Sequence, residues 1–307
     1  MNTSEHFSTF DDQRLFAESV TPEPPPQPWW VNWVGAATAV GVWIVSVIFL
    51  ALIPLVPLIP YIAYLAYTHG PIDQQALAGD KAILFISIMG VIPAHIATFG
   101  LIWLLATYAG RYSFVKEMKL EWPEKLGPVW GPVLSTLIAV MLLAIGGVVT
   151  HFYGDRKTDL DLLVESSAPA RWATAFIALC TAPVVEELIY RGLLYSGFER
   201  AFSSLVNRTV AIWLSVLAVS ALFAGVHVWQ YRNNLAVISV ITLLSLSLTI
   251  FRALSGKLLP CVVIHLVFNG IQAVIIVISP LLDKAAPTTP PPAPAAHLLA
   301  YLFHFLS

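Results

Sequence analysis

Seven long apolar runs constrain the fold of this chain more than any other feature of its sequence. A helix needs about 20 predominantly apolar residues to cross the hydrocarbon core of a bilayer, and it satisfies its backbone hydrogen bonds internally, as a spanning segment must. The runs lie at 30–53, 82–108, 128–150, 172–198, 209–229, 235–253 and 258–280. They predict an all-α fold, a polytopic membrane helix bundle with seven transmembrane helices, and eight as the alternative count.

The composition agrees with this class of protein. Only 11% of the residues are charged, against roughly 25% in soluble globular proteins. The formal net charge of −2 provides no basic field, so nucleic acid is not an expected partner, and the lipid bilayer is. The two cysteines lie in separate apolar runs, which does not fit a secreted disulfide framework.

The loops predict an orientation in the membrane. The N-terminal tail has no basic region followed by an apolar core, so the first run is expected to be an uncleaved anchor. The loops on the side of the N-terminus hold nine Lys and Arg residues, and the loops on the other side hold six. Because cytoplasmic loops carry the excess of positive residues, we expect an integral protein of the plasma membrane with a cytoplasmic N-terminus.

Three ionisable side chains interrupt the fourth run in the stretch EELIYR. A charged group at membrane depth costs about 2.5–3.5 kcal/mol on insertion scales, so each of them needs partners. Glu187 and Arg191 are four residues apart, share one helix face and can pair. Glu186 lies about 100° away around the helix, and its partners must come from other helices.

Two later runs carry the side chains that could partner Glu186. His227 lies near the end of the fifth run, one turn after Phe223, and His265 and Asn269 lie four residues apart in the seventh run. Nothing in their own helices explains these polar groups in an apolar run. We therefore expect Glu186, His227, His265 and Asn269 to converge in the interior of the bundle.

Such a cluster has the groups needed to hydrolyse an amide. A carboxylate beside a histidine can take a proton from water and so produce a nucleophile. A second histidine and an asparagine amide can donate hydrogen bonds to a developing oxyanion. This chemistry needs neither a serine nor a threonine nucleophile, and it needs no cofactor.

The same residues form a motif set that resembles a known family. EExxxR at Glu186–Arg191, FxxxH at Phe223–His227 and HxxxN at His265–Asn269 occur in the order found in intramembrane endopeptidases of the CAAX prenyl protease and bacteriocin-processing (CPBP) family. The resemblance covers about residues 172–280. It implies an intramembrane peptidase that processes CAAX-type proteins or peptides, with a peptide or membrane-associated protein as substrate, prenylated proteins included.

The resemblance also implies a role for each motif residue. Glu186 would be the base that activates water, with His227 assisting it. His265 and Asn269 would form the oxyanion site. Glu187, Arg191 and Phe223 would support the site, the first two by holding the fourth helix in position.

The chain is expected to have four parts. Residues 1–28 form a polar, proline-rich tail, and 29–170 form the N-terminal transmembrane helices and their loops. Residues 171–282 form the catalytic transmembrane core. Residues 283–307 combine a proline-rich linker with an apolar segment that is too short to span.

Two other chemistries fit the same side chains. Glu186, His227 and His265 offer a carboxylate and two imidazoles, a set that suits catalytic zinc, although the sequence has no HExxH helix. Cys261 lies four residues before His265 and eight before Asn269, so these three side chains share a face and have the residue types of a cysteine peptidase.

Two readings without peptide hydrolysis also remain. A membrane scaffold or immunity protein could keep the polar cluster for shape alone. A transporter could use it as a proton relay. His95, beside Pro93 in the second run, has no motif around it and is expected to be a hydrogen-bonded structural histidine.

Depth counting conflicts with the expected convergence. With the N-terminus inside, His227 falls near the outer end of the fifth helix and His265 in the inner third of the seventh. A fifth helix that continues to about Asn234 would bring His227 deeper and remove the conflict.

Overall fold

The computed structural model describes residues 29–71, 74–154, 158–231 and 234–285, and these ranges contain helices and no strand. The helices are α1 (Trp29–Leu52), α2 (Leu55–His69), α3 (Gln74–Gly79), α4 (Lys81–Met89), α5 (Val91–Ala106), α6 (Phe114–Glu117), α7 (Gly127–Tyr153), α8 (Asp159–Ser166), α9 (Ala168–Phe176), α10 (Ala182–Glu187), α11 (Tyr195–Ser203), α12 (Arg208–Gln230), α13 (Leu235–Ser255) and α14 (Leu259–Ala285). Two π-helical turns, Ile177–Thr181 and Leu188–Leu194, lie on either side of α10.

Seven helical segments of the described residues are long and apolar enough to cross a membrane. They are Asn32–His69, Lys81–Ala106, Gly127–Tyr153, Ala168–Ser203, Arg208–Val228, Leu235–Ser255 and Leu259–Pro280. These segments confirm the predicted all-α polytopic bundle. The polar N-terminal tail and the apolar segment near the C-terminus lie outside the described residues.

The first predicted run is interrupted where its prolines begin. α1 ends at Leu52 and α2 starts at Leu55, with Pro54 in the turn between them. The junction of α4 and α5 packs directly on this turn, since a Cβ on Gly90 would lie 2.6 Å from the Cα of Pro54. Glycine is thus required for this close approach.

The fourth span is one long helix with two local changes of hydrogen-bond pattern. The backbone N–H of Ala182 donates to the carbonyl of Ile177, and that of Tyr195 donates to Tyr190. Both bonds reach back five residues, so each turn holds one residue more than an α-helix would. Such π-bulges occur frequently at functional sites, and here they flank the EELIYR stretch.

The expected continuation of the fifth helix to Asn234 is wrong. α12 ends at Gln230, and Asn234 caps α13 by accepting a hydrogen bond from the N–H of Val237 at 3.1 Å. The start of the seventh span is covered by another part of the chain. Leu258, just before α14, is fully buried, and its N–H donates to the carbonyl of Lys119 at 2.9 Å. The connection between α5 and α7 therefore packs on the residue that precedes α14.

Candidate active site

A cavity of about 390 Å³ lies among the helices of the fourth to seventh spans and α5. Its lining includes Glu186, His227, His265 and Asn269, which come from α10, α12 and α14. The structure therefore brings the four predicted side chains to one cavity. Its size falls within the range of about 300–1,000 Å³ that is typical of small-molecule sites.

Glu187 is the centre of a buried ionic cluster beside this cavity. Its Oε1 accepts a hydrogen bond from Arg191 Nη1 at 2.8 Å and another from His265 Nδ1, also at 2.8 Å. Glu187 and Arg191 are fully buried. The pair with Arg191 is the one that the i,i+4 spacing predicts. The bond to His265 was not predicted, because sequence spacing carries no information on pairs between distant helices.

Arg191 ties the fourth span to α13. Its Nη2 donates to the carbonyl and the hydroxyl of Ser245 at 3.1 and 2.9 Å, and its Nε donates to the hydroxyl of Thr249 at 3.2 Å. The guanidinium carbon also lies 4.7 Å from the ring centre of Phe223, a cation–π distance. Arg191 thus links the fourth span to α13 and to the ring of Phe223 on α12.

The bond to Glu187 fixes the proton arrangement of His265. A carboxylate oxygen can only accept, so Nδ1 carries a hydrogen. The other nitrogen, Nε2, lies 3.8 Å from Oε2 of Glu186. In a neutral imidazole this nitrogen would face the carboxylate as a second acceptor. The distance of 3.8 Å is too long for a direct hydrogen bond between the two groups.

His227 is held in a column of aromatic rings on α12. Its Nδ1 lies 2.8 Å from the carbonyl of Phe223, which can only accept, so Nε2 carries the lone pair in the neutral ring. Phe223 stacks on one side with ring centres 4.7 Å apart, and Tyr231 lies parallel on the other side at 6.3 Å. Among the described residues, the Glu186 carboxylate comes within 4.0 Å of an imidazole nitrogen at His265 but not at His227. A water molecule can occupy such a gap and bridge the two groups.

Tyr231 is a polar residue of the cavity that the sequence patterns did not indicate. It lies just beyond the end of α12 and lines the cavity. Burial, followed by the negative charges of Glu186 and Asp161, raises the pKa of Tyr231 above its ordinary value. The phenol therefore remains protonated at neutral pH and can donate a hydrogen bond.

Asn269 has a structural bond that follows from the first π turn. The carbonyl of Ala178 would accept from residue 183 in the i→i+5 pattern, but Pro183 has no N–H. In a regular α-helix the N–H of Ala182 would donate to the Ala178 carbonyl, but here it donates to the carbonyl of Ile177. Asn269 Nδ2 donates to the Ala178 carbonyl at 3.3 Å, which leaves one amide hydrogen for another acceptor.

The other chemistries receive less support from these contacts. No group of three His, Cys, Asp or Glu side chains in the described part of the chain is arranged to hold a metal ion. The thiol of Cys261 donates to the carbonyl of Leu248 at 3.4 Å and is fully buried, and Cys261 is not among the residues that line the cavity. The cysteine-peptidase arrangement is therefore not formed.

His95 is bonded, as expected, but it also lines the cavity. Its Nδ1 lies 2.9 Å from the hydroxyl of Thr181 in the first π turn. It is buried on the face of α5 that meets the cavity. The bond to Thr181 accounts for Nδ1 of His95. It does not account for the other ring nitrogen, Nε2, so a purely structural role explains only part of this side chain.

Comparison with known proteins identifies the region that holds this site. A family model described as type II CAAX prenyl endopeptidase Rce1-like matches residues 168–271. No curated protein and no solved structure matches the chain. All seven motif residues fall within the matched range. Residues 168–271 are thus similar to the type II CAAX prenyl endopeptidase family, and the seven apolar spans indicate an integral membrane protein.

Proposed function

We propose that this protein is an intramembrane endopeptidase that hydrolyses a peptide bond with a water molecule activated by Glu186 and His227. The observation that carries the proposal is the position of His265 between two carboxylates. One nitrogen is fixed by Glu187 at 2.8 Å, and the other faces Glu186 at 3.8 Å on the cavity wall. A scaffold that keeps the polar cluster for shape alone does not need a histidine oriented in this way.

The proposed reaction requires the imidazolium form of His265, with a hydrogen on each ring nitrogen. Glu186, Glu187 and Arg191 together carry one net negative charge in a largely apolar surround. Adding the imidazolium of His265 brings the cluster to zero, and uncompensated charge is costly in a region of low dielectric. Nε2–H would then be a charged donor at the cavity surface.

The proposed reaction balances its protons within these residues. A water between Glu186 and Nε2 of His227 loses a proton to Glu186 as its oxygen attacks the carbonyl carbon of the substrate. The resulting oxyanion accepts hydrogen bonds from Nε2–H of His265 and from the remaining amide hydrogen of Asn269. Collapse of the intermediate breaks the C–N bond, and Glu186 returns its proton to the leaving amine.

The proposed substrate is a peptide or a membrane-associated protein. The orientation of the chain decides whether prenylated CAAX proteins, the class that the family description names, can reach the site. No resident cofactor takes part in the proposed reaction. We also propose the plasma membrane as the location, with the N-terminus in the cytoplasm. The cavity reaches Leu160 of α8 and Tyr231, which follow the third and fifth spans and so lie on the side opposite to the N-terminus. In this orientation the substrate would approach from outside the cytoplasm.

Labelling can determine the orientation. Leu162 in α8 and Leu205 after α11 are both exposed and lie on opposite sides of the membrane in the proposed topology. In a background without native cysteines, Leu162→Cys should react with an impermeant maleimide in intact cells, and Leu205→Cys only after permeabilisation. The reverse result would put the cavity mouth on the cytoplasmic side, where a prenylated CAAX protein would approach.

Terminal proteomics of membranes tests the activity and finds substrates together. Wild-type membranes should contain new protein termini that are absent with Glu186→Gln, His227→Ala or His265→Ala, although each variant remains folded. His69→Ala is the matched control, because His69 lies at the exposed end of α2 outside the cavity lining. The same termini in the Glu186→Gln sample would overturn the proposal.

A further inference from the structure

The wall of the cavity formed by α5 carries two polar side chains that the proposed reaction does not use. His95 and Thr98 lie three residues apart, so they share one face of the helix. Both are buried and both line the cavity. α5 also packs against α10, the helix that carries Glu186.

The hydroxyl of Thr98 is unusual for a membrane helix. Its Oγ1 is buried and has no hydrogen-bond partner among the described residues, and the residue is 1% exposed. Other threonine hydroxyls in the spans bond to a carbonyl of their own helix, as Thr242 does to Ile238 at 2.7 Å, with Thr150 as a further exception. A buried hydroxyl without a partner loses free energy. A rotation about Cα–Cβ exchanges the hydroxyl with the methyl group and can bring the hydroxyl to the cavity surface.

The contacts of His95 define what its second nitrogen can do. The Thr181 hydroxyl has the carbonyl of Ile177 as acceptor at 3.4 Å, so it receives a hydrogen bond from Nδ1–H of His95 at 2.9 Å. The neutral ring then has its lone pair on Nε2. Once the Thr98 hydroxyl is rotated toward the cavity, the wall presents one acceptor, at His95, and one donor, at Thr98, a helix turn apart.

We propose that this pair is a binding subsite for the backbone of the substrate peptide, opposite the hydrolytic residues. In an extended chain the N–H and C=O of one residue point to the same side. The N–H of such a residue would donate to Nε2 of His95, and its carbonyl would accept from the Thr98 hydroxyl. A carboxylate fits less well, because neutral His95 offers it no donor and Glu186 repels it. A hydrocarbon tail would leave both polar groups unpaired. The inference rests on the proposed peptidase function, for which it names the recognised group.

The subsite is tested by binding in full-length protein that carries Glu186→Gln, so that the probe is not consumed. The probe is a dye-labelled peptide in which a farnesylated cysteine is followed by three C-terminal residues. A matched set of peptides carries a methyl group on one backbone nitrogen, at a different position in each peptide. Thr98→Val and His95→Leu should each weaken binding about fivefold, the effect of one neutral hydrogen bond. Thr98→Ser should bind as tightly as the parent, and so should the control Thr242→Val.

The methylated peptides distinguish backbone recognition from general packing. One methylated position should weaken binding about fivefold to the parent protein and have no further effect with His95→Leu, because the same hydrogen bond is already lost. Additive losses at every position would overturn the subsite, and so would unchanged binding with Thr98→Val.

Cleavage by the protein with Glu186 intact separates this inference from the proposed function. Cleavage with unchanged affinity in Thr98→Val and His95→Leu would overturn the subsite alone. Binding that depends on both residues without cleavage would support the subsite and contradict the peptidase. A protein that neither binds nor cleaves the peptides would overturn both.

Discussion

Replacing Arg191 alone should destabilise the protein far more than replacing Arg191 and Glu187 together. Arg191→Met removes the four hydrogen bonds of the guanidinium and leaves the fully buried carboxylate of Glu187 with His265 as its remaining partner. Breaking one side of a buried ion pair costs about 3–5 kcal/mol. For a protein of this size, 1 kcal/mol shifts the melting temperature by roughly 2–4 °C, so the expected decrease is roughly 6–20 °C.

The double variant Arg191→Met, Glu187→Leu removes both charges and should recover most of that loss. Apolar replacement of a buried ion pair is often neutral or stabilising. It should nevertheless be inactive, since His265 Nδ1 no longer has the acceptor that orients the ring.

The thiol of Cys261 provides the assay for these variants. It is fully buried, whereas Cys180 is exposed, so a thiol-reactive fluorophore in a Cys180→Ser background reports unfolding in detergent. Melting temperatures of the single and double variants that agree within 2 °C would refute the reasoning, because the cost would then not come from an uncompensated charge.

Three further outcomes are expected. Gly197→Ala should lower the melting temperature by roughly 2–12 °C, because the added Cβ would lie 3.0 Å from the backbone of α1 and cause about 1–3 kcal/mol of overpacking. The control Gly147→Ala has open space around the added Cβ and should leave the melting temperature unchanged. Asn269→Leu should lower the free energy of unfolding by about 1–3 kcal/mol, because it leaves the carbonyl of Ala178 unpaired. Adding Pro183→Ala restores an N–H donor and should recover part of this loss. Purely additive losses in the double variant would contradict the assignment. Turnover should persist after prolonged EDTA treatment and should not rise on adding zinc; loss and recovery with zinc would favour the metal-dependent alternative.

The sequence predicts the spans well because the bilayer imposes a single requirement, a sufficient length of apolar helix. It also predicts that Glu186, His227, His265 and Asn269 meet, since a polar group in an apolar run needs a partner. The bond between Glu187 and His265 was not predicted, because Glu187 already had Arg191 as a partner in its own helix and His265 was expected to meet Glu186.

Two features of the geometry were not predicted, each for its own reason. Counting residues from the ends of the runs assumes that every helix starts at the membrane surface, whereas Leu258, just before α14, is fully buried. The π turns were also missed, because a single added residue leaves the apolar pattern almost unchanged. Pro183 was the one available signal, since a proline within a spanning run removes a donor.

The two π turns make the angular position of the EELIYR stretch depend on chain length. One extra residue in a helix rotates everything beyond it by about 100°. Deleting a single residue from Ile177–Thr181 could leave a regular helix of the same hydrophobicity, yet Glu186 would turn away from α12 and α14 relative to α9. The helix would still insert and still span, with its carboxylates directed at the wrong neighbours. Shortening either turn by one residue thus alters the chemistry of this membrane segment without altering its fit to the bilayer.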